Sequence, residues 1–531
     1  MTVRGWTAAF DWSRGGTFAG ANEDVSSLVT WDDVVIEVGR GTSSAASNIP
    51  ASTLDMELDD SDLILAPERS TSPLYGKVVP GVPFKFDLTV SAATTTLYSG
   101  VLSDLQYDST DRRMTVEVTD AWGKPSQQKL STTVYQGRRT GDLIGVILDA
   151  IGWPADKRQL DAGSTVVPFW WEEGTDAATA VQKLVDSEGP PAIAYVQAGV
   201  FVFKDRFHRI TDTASLVSQG LFTRIYPEGT GPGGDLKIAA GSISYNHGLA
   251  NIVNTANFSV DVRQPAPLGA IWSQSTPLSV PAGQTVVIDI EAGDGFIGAL
   301  VPVRTTNDAI EDAEPDGDYL LAYGSIASMS LSRTSGQSAL LTIVGGGTDA
   351  LLTNLQVRGN LLSVAQTVQV SAADTSSQLT KGILTWPGSL PWANQYDAQA
   401  IAQRIVSTYA TARPLITFTI DGVISTAYLQ QFAARRISDR ITIRDDILGV
   451  NGDYTIEKIT RTVKGLGASS SLLTIVAEPV APVGSANPFT FDVALQGFNL
   501  GTFAADGLDK PTTLFRFDTA GVGFNQGRFG A

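Results

Sequence analysis

The sequence predicts a mainly β chain with α+β modules: two small β-barrels, an α+β region between them and an inserted β-sandwich. Three observations predict it. Apolar and polar residues alternate at period two in many short runs, as in Phe84, Phe86, Leu88 and Val90 with Lys85, Asp87 and Thr89 between them. Helical periodicity is confined to a few stretches in the middle of the chain. Gly (52) and Pro (25) punctuate the runs, and 531 residues exceed what one hydrophobic core supports, which sets three to five domains of roughly 100 to 150 residues.

Residues 1–124 read as an N-terminal barrel, with strands at Val34–Val38, Thr53–Leu58, Phe84–Val90, Leu97–Leu102 and Met114–Thr119. Residues 125–240 read as an α+β domain. From Thr140 the period changes, and Leu143, Ile144, Ile147, Leu148 and Ile151 share one helical face that stops at Gly152-Trp153-Pro154. A second helix starts after Gly174 with Thr175 as its expected N-cap, carries Ala177, Val181, Leu184 and Val185, and ends at Gly189-Pro190. A hairpin follows, Ile193–Val196 and Val200–Phe203, turning at Gln197-Ala198-Gly199. The Gly and Pro cluster Pro227–Gly234 marks a loop.

Residues 241–263 and 360–413 form a third domain, with strands at Ser242–Tyr245 and Asn257–Val262 and an amphipathic helix whose stripe is Ala398, Ile401, Ala402, Ile405, Val406 and Tyr409, ending at Arg413-Pro414. Between its halves, after Pro265-Ala266-Pro267, residues 264–359 are β-rich and read as an inserted sandwich. Residues 414–480 read as a second barrel, with strands at Leu415–Ile420, Arg440–Ile443, Tyr454–Val463 and Ser471–Ala477 and Asn451-Gly452 as a hairpin signal. Residues 481–531 are a Phe- and Gly-rich extension without clear periodicity. Its eight Phe, among them Phe489, Phe491, Phe515 and Phe517, need another surface to cover them.

Composition excludes several classes of function. The 37 Lys and Arg against 55 Asp and Glu give a net charge of −18, and such a surface repels phosphate backbones, so a stable nucleic-acid binder is not expected. Charged residues at 17% and apolar ones at 43% suit folded cores. With no cysteine, neither disulfides nor thiolate metal sites contribute, which fits folding in a reducing cytoplasm. A secretory signal and a membrane span are both absent from the pattern.

No catalytic, cofactor-binding or metal residue is nominated. Two histidines, His208 and His247, leave no His-based triad or HExxH site, and each reads as a hydrogen-bonding loop residue. Gly345-Gly346-Gly347 lacks the Lys of a phosphate loop and reads as a turn. Three acidic spots have the oxygens a hard cation needs: Asp59-Asp60-Ser61-Asp62, Glu314-Pro315-Asp316-Gly317-Asp318, and Asp445-Asp446 with Asp453. None has EF-hand spacing, and solvated turns are the reading preferred. Trp170-Trp171, Trp386 and Trp392 are expected to pack a core or interface rather than stack on sugars.

The order of several motifs resembles the minor tail proteins of long-tailed phages infecting actinobacteria. The opening run is Trp31-Asp32-Asp33-Val34, Thr53 to Asp60, Ser72-Pro73-Leu74-Tyr75-Gly76 and Pro80-Gly81-Val82-Pro83. It continues through Thr140-Gly141-Asp142, Ile151-Gly152-Trp153-Pro154, Leu160-Asp161-Ala162-Gly163, Trp170 to Gly174, Asn251-Ile252-Val253-Asn254, Leu355 to Gly359 and Pro391-Trp392. The likeness covers roughly residues 25 to 480 and carries no catalytic residue. It implies a hub of the virion tail tip, assembled in the host cytoplasm. Three copies surround the tail axis and two similar barrels per chain make a ring of six. The partners implied are a distal tail protein, a tape measure protein and tip or fibre proteins, with DNA only in transit through the channel; no enzyme activity and no cofactor are implied. The alternative from another functional class is a tip protein that recognises host cell-wall glycans.

Overall fold

The computed structural model describes residues 4–31, 34–40, 52–224, 236–238, 243–305, 317–464 and 469–480. The fold is mainly β with α+β modules, as the periodicity predicts. The N-terminal sheet has five strands in the spatial order Arg4–Phe10, Pro83–Val90, Ala93–Asp108, Arg113–Asp120, Thr53–Asp59, antiparallel at each step. Buried Phe84, Phe86, Leu88 and Val90 occupy alternate positions in the second of these, because side chains on a strand change face at every residue.

The C-terminal sheet repeats part of this order. Arg440–Asp445, Val450–Lys464 and Ser470–Pro479 form an antiparallel meander, and Leu415–Asp421, which precedes them in the chain, pairs with the last. In the N-terminal sheet Thr53–Asp59 likewise precedes a meander of three strands and pairs with its last, Arg113–Asp120. Both are four-strand Greek keys of one connectivity.

The two sheets do not stand apart. Strand Val34–Gly39 leaves the N-terminal segment and pairs along Val463 to Lys458 of the C-terminal sheet. Leu221–Thr223, assigned to the α+β domain by sequence, joins the same sheet parallel to Thr442–Arg444, with Leu236–Lys237 beyond it. The limits at 124 and 240 are therefore not limits of the sheets. Such pairings couple segments hundreds of residues apart and leave no local period. One core runs through both sheets, from Phe84 and Ile36 to Phe418 and Ile459, and Trp6 meets Phe432 edge-on at 5.7 Å.

Between them, helices Thr140–Ala150 and Ala177–Glu188 pack with the hairpin Ile193–Gln197/Val200–Lys204 around Leu143, Ile147, Trp170, Leu184 and Phe201. The N-cap of the second helix is Asp176, whose carboxylate accepts from Thr179 N at 2.9 Å, and not Thr175, which pairs with Leu130 in a short ladder. The helix Gln395–Tyr409 buries all six stripe residues against strands Thr255–Pro265 and Leu355–Ala373. Asn451 and Gly452 lie inside a strand, opposite Arg444 and Ile443. The turn falls earlier, where Gly449 takes the positive φ (+65°) that closing it requires. Arg4–Phe10 and the helix Thr426–Ala434 have no counterpart in the sequence reading.

The insertion holds two three-stranded sheets over a core of Ile290, Leu341, Ile343 and Leu352. It is mounted on a ribbon: Thr255–Pro265 pairs with Leu362–Ala373, and the second strand begins at Leu355, so that both boundaries at 264 and 359 fall inside or beside continuous strands. Pro227–Gly234, Glu314-Pro315-Asp316, Asp32-Asp33 and the extension 481–531 lie outside the described residues.

Candidate functional site: the junction between the sheets

Five charged side chains from distant parts of the chain meet where the two sheets join. Arg40 follows the strand Val34–Gly39 and donates to Glu457 Oε2 at 3.1 Å and to the carbonyls of Pro191 (2.7 Å) and Ala192 (2.6 Å). Gly39 makes this approach possible, since at φ +137° a Cβ would lie 2.5 Å from the Glu457 carbonyl and the Lys458 Cα. Glu457 itself sits at a bulge, where the register slips between Ile456 and Lys458; the extra residue re-aims its side chain. Arg209, on the short helix His208–Thr211, reaches Glu457 with one terminal nitrogen and Glu478 with the other. Arg413 lies 3.6 Å from Glu478 and donates to the Pro479 carbonyl.

Arg40, Arg413, Glu457 and Glu478 are all buried, which fixes what the cluster can do. Burial pushes the Glu457 carboxyl up, only partly offset by Arg209. At Glu478 burial acts in the same sense, but the Arg209 and Arg413 guanidiniums overrule it and hold its carboxyl below the usual glutamate value. Arg209 is answered by both glutamates, which outweigh the burial that would lower it and raise it further. Each carboxylate is engaged by guanidinium, Glu457 by Arg40 and Arg209 and Glu478 by Arg209 and Arg413. The arrangement locks segments together; buried pairs of this kind do so at a cost in desolvation, and removing one member is strongly destabilising.

Two similar joints hold the middle of the molecule. Glu188, fully buried at the end of its helix, accepts from Thr140 Oγ1 (2.7 Å), Ser164 N (2.9 Å) and Thr165 N (2.9 Å). Arg206 bridges Thr165 Oγ1 and Asp397 at 2.8 Å each, bringing the helix Gln395–Tyr409 to the same point. Asn254 receives Leu384 N at 2.9 Å and donates to the Gly382 carbonyl at 2.8 Å. Thr140 and Asn254, which belong to motifs of the sequence, sit in these joints, and Gly141 N donates to the Ala162 carbonyl at 3.0 Å beside the first of them.

The other singled-out residues are placed as follows. His208 is fully buried, its Nδ1 2.6 Å from the Asp205 carbonyl and its Nε2 2.7 Å from Ser438 Oγ. Burial first, then the Arg209 charge, depresses its pKa well below the ordinary value. His247 is exposed and stacks on Tyr245. Asp60 accepts from Ile64 N, Leu65 N and Tyr107 Oη. Asp59 is turned to Ser61, Asp318 to Arg358 and Val303 N, Asp445 to Ile447 N and Leu448 N, and Asp453 to Arg440 and Thr442. These carboxylates are thus tied into turns and ion pairs, and no metal-holding group of three or more acidic or His side chains occurs among the described residues. Trp170 and Trp386 are in cores. Trp171 packs edge-on to Trp392 at 5.5 Å and under the Arg263 guanidinium at 5.1 Å.

No protein-family model matches the chain, and no curated protein matches it. Among solved structures it is similar to the 43 kDa tail protein of prophage MuSo2 from Shewanella oneidensis, with 10% identity, 90% of this chain and 98% of that one covered and a TM-score of 0.45. It is similar also to a tail protein from Neisseria meningitidis MC58 (9% identity, 90% and 96% covered, TM-score 0.43) and to the prophage tail protein gp18 from Listeria monocytogenes EGD-e (9% identity, 90% and 95% covered, TM-score 0.40).

The junction escaped the sequence reading. With 92 charged side chains, 37 basic and 55 acidic, nothing marks five of them as partners. A weak signal existed: Glu457 and Glu478 interrupt runs, Tyr454-Thr455-Ile456 and Thr474 to Ala477, that are otherwise fit for a buried strand.

Proposed function

We propose that this chain is a structural hub protein of a phage tail tip, of the minor tail protein type that its motif order resembles, and that it acts as a scaffold and not as an enzyme. Three copies surround the tail channel, join the sixfold tail to threefold tip or fibre proteins, contact distal tail and tape measure proteins, and let DNA pass. The observation that carries the reading is the repeated strand order. Each chain holds two four-strand Greek keys of one connectivity, fused by the strand Val34–Gly39 and by the buried junction. A threefold ring that faces a sixfold tube needs two like units per chain held in a fixed mutual orientation. The acidic balance suits a wall past which a polyanion moves without sticking.

The test is the copy number and symmetry of the protein in intact particles, read by electron cryomicroscopy. Three copies per tail with the two sheets alternating around the axis is the expected result. A single copy, or one sheet alone on the axis, would overturn the proposal, and binding of the purified protein to host envelope glycans without trimer formation would favour a receptor-binding tip protein.

A further inference from the structure

A cavity of about 140 Å³ opens beside the junction, and its charged lining residues are Arg209, Arg404, Arg413 and Arg440 with the single carboxylate Glu478. Three of these arginines have carboxylate partners: Arg209 with Glu457 and Glu478, Arg413 with Glu478 at 3.6 Å, and Arg440 with Asp453 at 2.5 Å. The neighbouring Arg206 is paired as well, with Asp397 at 2.8 Å. Among the described residues the Arg404 guanidinium has no carboxylate and no hydrogen-bonded acceptor. Its Cζ lies 4.9 Å over the ring of Phe207, which leaves the in-plane N–H donors free.

A partly buried cation set among like charges is unfavourable unless an anion answers it. Burial, with Arg206 and Arg209 adding to it and Tyr409 and Asp205 partly offsetting it, pushes the Arg404 pKa down to about 10. Arg413 is already engaged, its Nε 3.6 Å from Glu478 and its guanidinium donating to the Pro479 carbonyl. The Arg404 donors therefore face a volume worth roughly four or five water molecules at ~30 Å³ each, the size of a short carboxylic acid.

We propose that this cavity binds a carboxylate, held by the fork of Arg404. Guanidinium matches the two oxygens of a carboxylate in one plane. The site stands on the geometry of the cavity and is independent of the hub reading. Its ligand is either a free carboxylate or the acidic side chain of a protein, and one set of measurements separates the two.

Glutarate, glutaramide and N-acetyl-glutamate amide are titrated by calorimetry into the full chain at fixed ionic strength. Glutarate is expected to bind saturably and glutaramide not at all. Equal affinity for glutarate and the blocked glutamate indicates recognition of the carboxylate alone, and tighter binding of the latter indicates a protein side chain. Arg404→Gln is expected to weaken glutarate binding at least about tenfold, one hydrogen-bonded charge being worth that much or more, with an unfolding temperature no lower than that of the unaltered protein. Glutarate and glutaramide behaving alike would overturn the proposal, a comparison that holds even if Arg404→Gln fails to fold. Undiminished glutarate binding by a folded Arg404→Gln would overturn it too.

Discussion

Arg40 and Glu457 meet at 3.1 Å although they stand 417 positions apart in the chain, both withdrawn from solvent. The pair closes the molecule: one partner follows the strand that crosses from the N-terminal segment, and the other sits on the bulge of the strand that receives it. Arg40→Met keeps the volume but leaves the Pro191 and Ala192 carbonyls without their donor and Glu457 with Arg209 alone. The expected cost is about 3–5 kcal/mol, typical of removing one member of a buried pair. It would be read from denaturant unfolding, with faster amide exchange at Val34–Gly39. A loss below about 1 kcal/mol would mean that the strand ladder holds the sheets together without the ion pair.

His208 makes stability depend on pH in a defined window. It is buried and neutral, with a folded pKa well below the 6.5 of an unfolded chain. Below pH 6.5 the unfolded state takes up a proton that the folded state refuses, so stability present above 6.5 is lost as pH falls toward the folded pKa. The slope approaches about 1.4 kcal/mol per pH unit at most. His208→Gln removes the titrating group and should flatten the change in unfolding free energy between pH 6.5 and 5.5. An unchanged slope would show that another group carries it.

What the sequence revealed divides along a physical line. The stripe of the helix Gln395–Tyr409 was legible residue by residue, because 3.6-residue periodicity is written in neighbours. The alternation in Pro83–Val90 was legible for the same reason. Partners were not: nothing near Val34 or Leu221 announces a place in the C-terminal sheet. Thr426–Ala434 escaped because nine residues with three buried side chains, Tyr428, Leu429 and Phe432, give too short a pattern. Asn451-Gly452 misled because turn chemistry is a local preference, and the ladder with Arg440–Asp445 overrode it by closing at Gly449. The junction needs five residues to be known as neighbours, which only the fold supplies.

Trp171 is clasped by two glycines of the insertion. A Cβ on Gly336 would lie 2.7 Å from the Trp171 Cβ, and one on Gly295 would lie 2.8 Å from its ring. Gly336→Val should force the surfaces apart at a cost of about 1–3 kcal/mol. Ser335, bonded to Glu173, would be drawn away with it. The expected signature is a red-shifted Trp emission and faster exchange at residues 294–296 and 334–338, while the sandwich core around Leu341 stays protected. Unchanged emission would mean that the insertion accommodates the extra volume without undocking.

The ribbon decides how the insertion can be removed. Residues 264–359 look excisable in sequence, but Thr255–Pro265 and Leu362–Ala373 form one ladder, and Leu362 packs with Phe169 and Trp171 on the body. A cut at 264 and 359 would leave residues 360–363 projecting from a strand whose partner ends at Arg263, opposite Val364. A cut that joins Val262 to Gln366 through a two-residue Asn-Gly turn keeps the facing pairs from Thr255–Ala373 to Val262–Gln366 and closes them as a hairpin. The second deletion should give a folded protein whose helix Gln395–Tyr409 remains seated on the ribbon, with Trp171 newly exposed. Trp171→Gln in the same background should then restore solubility lost to that patch. Thermal unfolding and size-exclusion chromatography would check both, with the first deletion expected to be the less stable. Equal stability of the two deletions would show that the ladder beyond Val262 contributes nothing to the body, and failure of the second to fold would show that the insertion is required for the core it rests on.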